Sequence, residues 1–261
     1  MNGNNNNVLI EVKNVCRDIP IKKGMVLPRR VGTFRAVDDV TLSVYSGETL
    51  ALVGQSGAGK TTLGMMMLGL IEPTAGEIVY EGNNIFSGSR MKQRMDCQLV
   101  FQDPLASLNP QLPIGKSIEL PLINLGWSKD KRKARVLEVL EMVSLAAAHA
   151  ERYPHQFSGG QAQRVAIARA LASNPKFIVL DEPVSALDVT IQAQIINLLN
   201  RLQKKLQLTY LFIAHNINVV YFMSDRVAVM SEGRVVEFGT CQDVIGNPKH
   251  DLTKHLVAGS G

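Results

Sequence analysis

Gly54, Gly59, Lys60 and Thr61 stand in the order glycine, four residues, glycine, lysine, threonine, inside the stretch GQSGAGKT. The apolar run TLALV precedes them and TTLGMMMLGL follows. The spacing predicts a glycine-rich turn between a buried strand and the first turn of a helix. In such a turn the backbone N–H groups of Gly54, Gln55, Ser56, Gly57, Ala58 and Gly59 wrap a β-phosphate. Lys60 reaches the β- and γ-phosphates as a point charge, the Thr61 hydroxyl coordinates Mg²⁺, and Thr62 lies one residue further along the nucleotide. An ordinary glycine turn is the alternative, and it requires neither the lysine nor the threonine.

A second group sits in FIVLDEP, where four apolar residues predict a buried strand with Asp181 at its C-terminal end. Ligands of open parallel sheets gather at that edge. Asp181 would hold Mg²⁺ through water. Glu182, pointing elsewhere, can polarise the attacking water as a general base. A third group is Ser158, Gly159, Gly160 and Gln161, directly before the helical pattern AQRVAIARAL. Glycines at a helix mouth let an anion approach unpaired N–H donors. Gln102 and His215 each end a strand-like run, QLVF and TYLFIA, where a γ-phosphate could be sensed. Taken singly, each is more simply an ordinary polar side chain at a strand end, facing water.

The elements that must position these groups are legible in outline. VLIEVKNV (8–15) alternates as a strand. The basic segment 16–35, with Pro20, Gly24, Pro28 and Gly32, reads as a long hairpin or loop insertion. Two strands follow around a turn at Ser46-Gly47. A mostly helical stretch covers about 114–173, in which Val136, Leu137, Leu140 and Val143 are expected to share one face. A helix over about 189–206 and final strands near 226–230 and 234–238 complete the pattern. Continuous apolar strands alternating with helices predict a parallel sheet buried on both faces.

Apolar residues make up 46% of the 261 and charged residues 20%, so a sizeable core is expected and global disorder is not. The formal net charge of +5 is too mild and too dispersed to argue for nucleic acid. Cys16, Cys97 and Cys241 lack metal-ligand spacing and read as reduced thiols. No apolar run approaches the roughly 20 residues of a spanning helix.

GQSGAGKT, Gln102, SGGQ, VLDEP, SALD (185–188) and His215 occur in this order along nearly the whole chain. Together they resemble the ATP-binding cassette (ABC) family, and SGGQ followed by QRVAIARAL separates that family from other P-loop proteins. The resemblance implies an α/β P-loop NTPase (RecA-like) core with an antiparallel β subdomain and an inserted helical signature subdomain. It implies ATP and Mg²⁺ as ligands, catalysis by Glu182, His215 and Gln102, and Mg²⁺ held by Thr61, Gln102 and Asp181. It further implies that Ser158, Gly159, Gly160 and Gln161 cap the γ-phosphate of ATP on the P-loop of a second cassette, in a homo- or heterodimer. Many relatives stack adenine on an aromatic residue some twenty positions before the P-loop; Phe34 and Tyr45 are the nearest candidates. Asn216 stands where the family usually has Asp, implying a weakened local hydrogen bond.

VFQDPLASLNP, EPVSALDVTIQAQIINLL and NPKHDLTKHL resemble ATPase subunits of the oligopeptide, dipeptide and nickel importers, and the basic insertion resembles the second of their two ATPase subunits. That implies a peripheral protein on the cytoplasmic face of the cell membrane. Its partners would be a second cassette, two permease subunits and, through them, an extracytoplasmic solute-binding protein; nucleic acid is not among them. The expected organisation is an Asn-rich disordered tail (1–7), a nucleotide-binding domain (8–245) with its helical subdomain at about 104–175, and a short C-terminal tail (246–261). Rival readings are a cassette ATPase acting on nucleic acid or ribosomes, and a P-loop module without turnover. The first lacks its usual coiled-coil insertion, and Glu182 and His215 argue against the second.

Overall fold

The computed structural model describes residues 7–23, 29–87 and 95–259. Its elements, in chain order, are β1 (Val8–Lys23), β2 (Arg29–Tyr45), β3 (Thr49–Gly54), α1 (Lys60–Met67), β4 (Ala75–Tyr80), β5 (Asn83–Asn84) and β6 (Cys97–Val100). Then follow α2 (Ile114–Asn124), α3 (Lys129–Met142), α4 (Gly159–Leu171), β7 (Phe177–Asp181), α5 (Val189–Leu206), β8 (Thr209–Ala214), α6 (Ile217–Met223), β9 (Arg226–Ser231), β10 (Arg234–Thr240), α7 (Cys241–Gly246) and α8 (Asp251–Ala258). They form two compact units. One takes the chain up to residue 93 and again from 212; the other is the uninterrupted stretch 94–211.

The first unit contains an antiparallel sheet in the order β2-β1-β4-β5. The basic segment is a hairpin: β1 and β2 pair from Val8↔Tyr45 to Lys23↔Arg29. Its tip, like most of the Asn-rich tail, lies outside the described residues. One face is apolar, with Ile10, Val12, Val15, Val37, Val40 and Val44 buried, as period-2 alternation requires. Strand β3 is buried at every position and runs parallel to β9, in register from Leu50↔Arg226 to Gly54↔Met230. β10 pairs antiparallel with β9. A strand buried on both faces has no polar side to show, which is why TLALV is a continuous apolar run.

In the second unit β6 and β7 pair in parallel, Cys97↔Phe177 to Val100↔Leu180, and the helices α2 to α5 bury their own core. Within α3 the structure corrects one expectation. Val136, Val139, Leu140 and Val143 are buried, whereas Leu137 is 48% exposed. The i, i+3, i+4, i+7 stripe starting at Val136 passes through Val139 and leaves Leu137 on its flank. Val165, Ala168 and Ala172, at i, i+3 and i+7 along α4 and its C-cap, are buried. β8 carries the chain from this unit back into the first. Cys16, Cys97 and Cys241 are free thiols.

Candidate nucleotide site and signature loop

In the first unit, β3 ends on Gly54 and the chain turns through Gln55–Gly59 into α1. Both flanking glycines are dictated by close approach. A Cβ on Gly54 would meet Met230 O at 2.2 Å, and one on Gly59, at φ +95°, would meet Ala36 O at 2.2 Å. Gly233 N–H donates to Ala58 O at 3.1 Å, tying the turn to the β9–β10 corner. Lys60 is only 5% exposed. Its Nζ donates to Gly54 O at 2.8 Å and to Gln55 O at 2.9 Å, so the ammonium is lodged inside the loop. Thr61 is exposed and Thr62 half-buried on the first turn of α1.

A cleft of about 430 Å³ opens beside this turn, lined by Gln55–Ala58, by Ser231 and Glu232, and by Phe34 and Arg35 of the hairpin. Phe34 presents a half-exposed ring there, while Tyr45 is engaged elsewhere under the Arg226 guanidinium, 4.9 Å from its ring centroid. Arg35 is fixed by Asp18 (2.8 and 3.4 Å) and by Asp38 (3.1 Å), and Arg234 donates to the other Asp38 oxygen at 2.6 Å. Arg234 first, then Arg35, hold the Asp38 carboxyl below the usual carboxylate range. No local motif marks Arg35, Ser231 or Glu232, because strand pairing and a distant turn bring them to the cleft. His215 directly follows β8 and is exposed. Asn216 caps α6, its Oδ1 accepting from Asn218 N–H at 2.9 Å. The cap hydrogen bond is therefore made by the amide, as a carboxylate would make it.

In the second unit, Asp181 is the last residue of β7. Glu182 turns out of the strand at φ +49°, a left-handed conformation uncommon for a residue with a Cβ. Gln102 Nε2 donates to Glu182 Oε2 at 2.9 Å and lies 3.3 Å from Ser185 Oγ, which itself donates to Glu182 O at 3.1 Å. The structure thus joins Gln102 and Glu182 and adds Ser185, the first residue of SALD, to which the sequence reading gave no role of its own. Ser158 caps α4: its Oγ accepts from Gln161 N–H at 3.4 Å while Gln161 Oε1 accepts from Ser158 N–H at 3.2 Å. The reciprocal pair leaves Ser158 and Gly159 exposed at the helix mouth. Arginines grip the rest of α4. Arg164 donates to Val143 O at 2.9 Å, and Arg169 donates to Ser107 O and, at 3.1 Å, to Ser107 Oγ.

The family model for ABC transporters matches residues 37–185, which include the loop around Lys60, the signature loop and the Asp181-Glu182 pair. The chain belongs to the ABC transporter family. Over 96% of its length it is 46% identical to the oligopeptide transport ATP-binding protein OppF of Bacillus subtilis, covering 81% of that protein. It is equally similar, at 46% over 96%, to the dipeptide transport ATP-binding protein DppF of Lactococcus lactis, covering 80% of it. Among solved structures, a dimeric post-hydrolysis state of the ATP-binding cassette MJ0796, bound to ADP and Pi, superposes with a TM-score of 0.77 at 33% identity. That match covers 89% of this chain and 99% of the other. The fold is accordingly that of an ABC ATPase: an α/β P-loop core with helices on a mixed sheet, an antiparallel β subdomain and a helical subdomain.

Proposed function

We propose that this cassette drives import of peptides or a related small solute, working as a pair of cassettes beneath two permease subunits fed by an extracytoplasmic binding protein. Near-full-length identity to OppF and DppF supports the peptide class. The observation that carries the chemistry is the Gln102–Glu182 hydrogen bond at the end of β7. It holds the Glu182 carboxylate in place at the end of the strand. Glu182 takes the proton as the water oxygen bonds to the γ-phosphorus and the β–γ bridging bond breaks, releasing ADP and phosphate. Lys60 neutralises charge on the β- and γ-phosphates, the loop amides of Gly54–Gly59 with Thr62 orient the β-phosphate, and His215 contacts the γ-phosphate. The base lies against Phe34 in the cleft beside the loop.

The donors fit Mg²⁺. Thr61, Gln102 and Asp181 offer hard oxygens, and among the described residues no His/Cys/Asp/Glu cluster forms a cage of its own. Mg²⁺ suits such sparse sites because it keeps water and substrate phosphates as ligands. When bound, it supplies positive charge to the β- and γ-oxygens. Ser158, Gly159, Gly160 and Gln161 serve the γ-phosphate of the partner cassette.

The test is reconstitution with the permeases and binding protein in proteoliposomes. Peptide should stimulate ATP hydrolysis and accumulate inside; Glu182→Gln should abolish both. Stimulation by nickel and not by peptide would overturn the choice of peptide within that class. Turnover without any permease dependence would overturn the transport role.

A further inference from the structure

Ile191 occupies the space beside the signature loop. A Cβ placed on Gly160 would lie 2.5 Å from Ile191 Cγ2, and one on Gly159 would lie 3.3 Å from Leu187 Cδ2. Gly160 is therefore needed by packing within this chain, apart from any ligand, whereas a Cβ on Gly159 would ask Leu187 to give by only a few tenths of an ångström. Leu187 belongs to a short succession of turns that begins at Glu182, and Ile191 to the first turn of α5, into which they lead. Ser185 N–H donates to Glu182 O at 3.3 Å, and Leu187 N–H to Val184 O at 3.2 Å. Asp188 Oδ1 then accepts from Ile191 N–H at 3.0 Å, capping α5, and Gln192 Nε2 donates to Leu187 O at 2.9 Å. At its other end α4 is fastened through Arg169 to Ser107, five residues beyond Gln102. The signature helix is thus held at both ends by segments that carry Gln102 and Glu182.

We propose that Ile191 is a positioning residue for the signature loop. It fixes Ser158–Gln161 to the turns starting at Glu182, so that the state of Gln102 and Glu182 at this chain's own nucleotide sets where the loop stands for the nucleotide of the partner cassette. The inference rests on the trans role proposed above for SGGQ. The physical link is short and stiff. Gln102 reaches both Glu182 Oε2 and Ser185 Oγ, so turning it toward a nucleotide releases both groups at the start of the turns. A β-branched side chain in a helix has one strongly preferred χ1 rotamer, so Ile191 Cγ2 moves with its backbone and carries the loop glycine with it.

The experiment uses the cassette pair with Glu182→Gln in this chain, where ATP should trap the closed state, and reads closure against ATP concentration by cross-linking. Ile191→Val keeps both γ-carbons and loses only Cδ1; Ile191→Leu keeps the volume and loses the β-branch. Ile191→Leu should raise the ATP concentration for half-closure roughly tenfold, in line with the cost of small misplacements in a site. Ile191→Val should stay within about twofold of the parent. Own-site ATP affinity of the isolated chain, by equilibrium titration, should be unchanged in both. Should Ile191→Leu fail to fold, Gly160→Ala should give the same loss, partly restored by adding Ile191→Ala, because the new Cβ then replaces the missing Cγ2. Equal closure for all variants overturns the inference. So does greater damage from Val than from Leu, which would track lost volume alone. Ser158→Arg separates the layers: if it closes normally, the trans role itself fails; if it blocks closure while Ile191→Leu does not, only the role of Ile191 fails.

Discussion

Glu182 leaves β7 in a left-handed backbone conformation and meets Gln102 at 2.9 Å. Glu182→Gln keeps the shape and the hydrogen bond but cannot accept a proton. Turnover should fall by roughly 10²–10⁴, a typical general-base factor, with nucleotide affinity nearly unchanged. Single-turnover kinetics beside equilibrium titration would check the split. Lys60→Ala should act on affinity as well, because it removes charge-assisted contacts to phosphate worth about 2–3 kcal/mol. Near wild-type ATP binding by the variant would contradict the loop's role. Phe34→Ala should weaken ATP binding while sparing binding of inorganic triphosphate, which carries no base. Lys60 and Glu182 could be picked out from the sequence because their chemistry travels in contiguous motifs. Phe34 could be named only as one of two candidates: its place at the cleft depends on a hairpin whose register, Ile19↔Phe34, no local motif encodes.

At the scale of elements, α4 depends on what its neighbours donate to it. Arg135 of α3 is buried and donates to Leu171 O at 2.7 Å and Ala172 O at 3.1 Å, closing the last turn of the helix. Arg135→Met should cost about 2–3 kcal/mol, since buried carbonyls lose their donor; urea unfolding would measure it. Glu119 of α2 is held below its ordinary carboxyl value of 4.5 chiefly by Arg132, with Lys116 adding to the effect against the opposing pull of burial. A carboxyl with a depressed native pKa stabilises fully above its unfolded value and loses that contribution as pH falls through the native one. Glu119→Gln should therefore be destabilising near neutrality, and its deficit should shrink below about pH 4.5. Helix periods and the apolar strands were readable because each follows a backbone repeat. The arginine grips on α4 were not, since Arg135, Arg164 and Arg169 look like ordinary solvated charges until the carbonyls they reach are known. Leu137 shows the same limit: apolarity alone does not tell a stripe from its flank.

At the scale of the molecule, none of the described helices is long and apolar enough to cross a membrane. The cassette should sediment with membranes only when its permeases are present; sedimentation in a strain lacking them would contradict the proposed assembly. The order of motifs along the chain pointed to an inserted subdomain at about 104–175, and the structure has one compact unit made from two distant stretches of sequence, with the other unit, 94–211, between them along the chain. That arrangement imposes a schedule on the ribosome. Residues 94–211 emerge as one block and can begin to fold as they appear. β3, which leads into the phosphate loop, must wait for β9: Thr49 N–H finds its acceptor on Asp225, 176 residues later. At about 5–20 residues per second the delay lasts on the order of 9–35 s. Throughout it TLALV is an apolar strand without that neighbour, which is the kind of segment that aggregates or recruits a chaperone. Slowing translation after residue 93 should therefore lower soluble yield more than slowing it before residue 49, and the loss should be recovered by co-expressed chaperone.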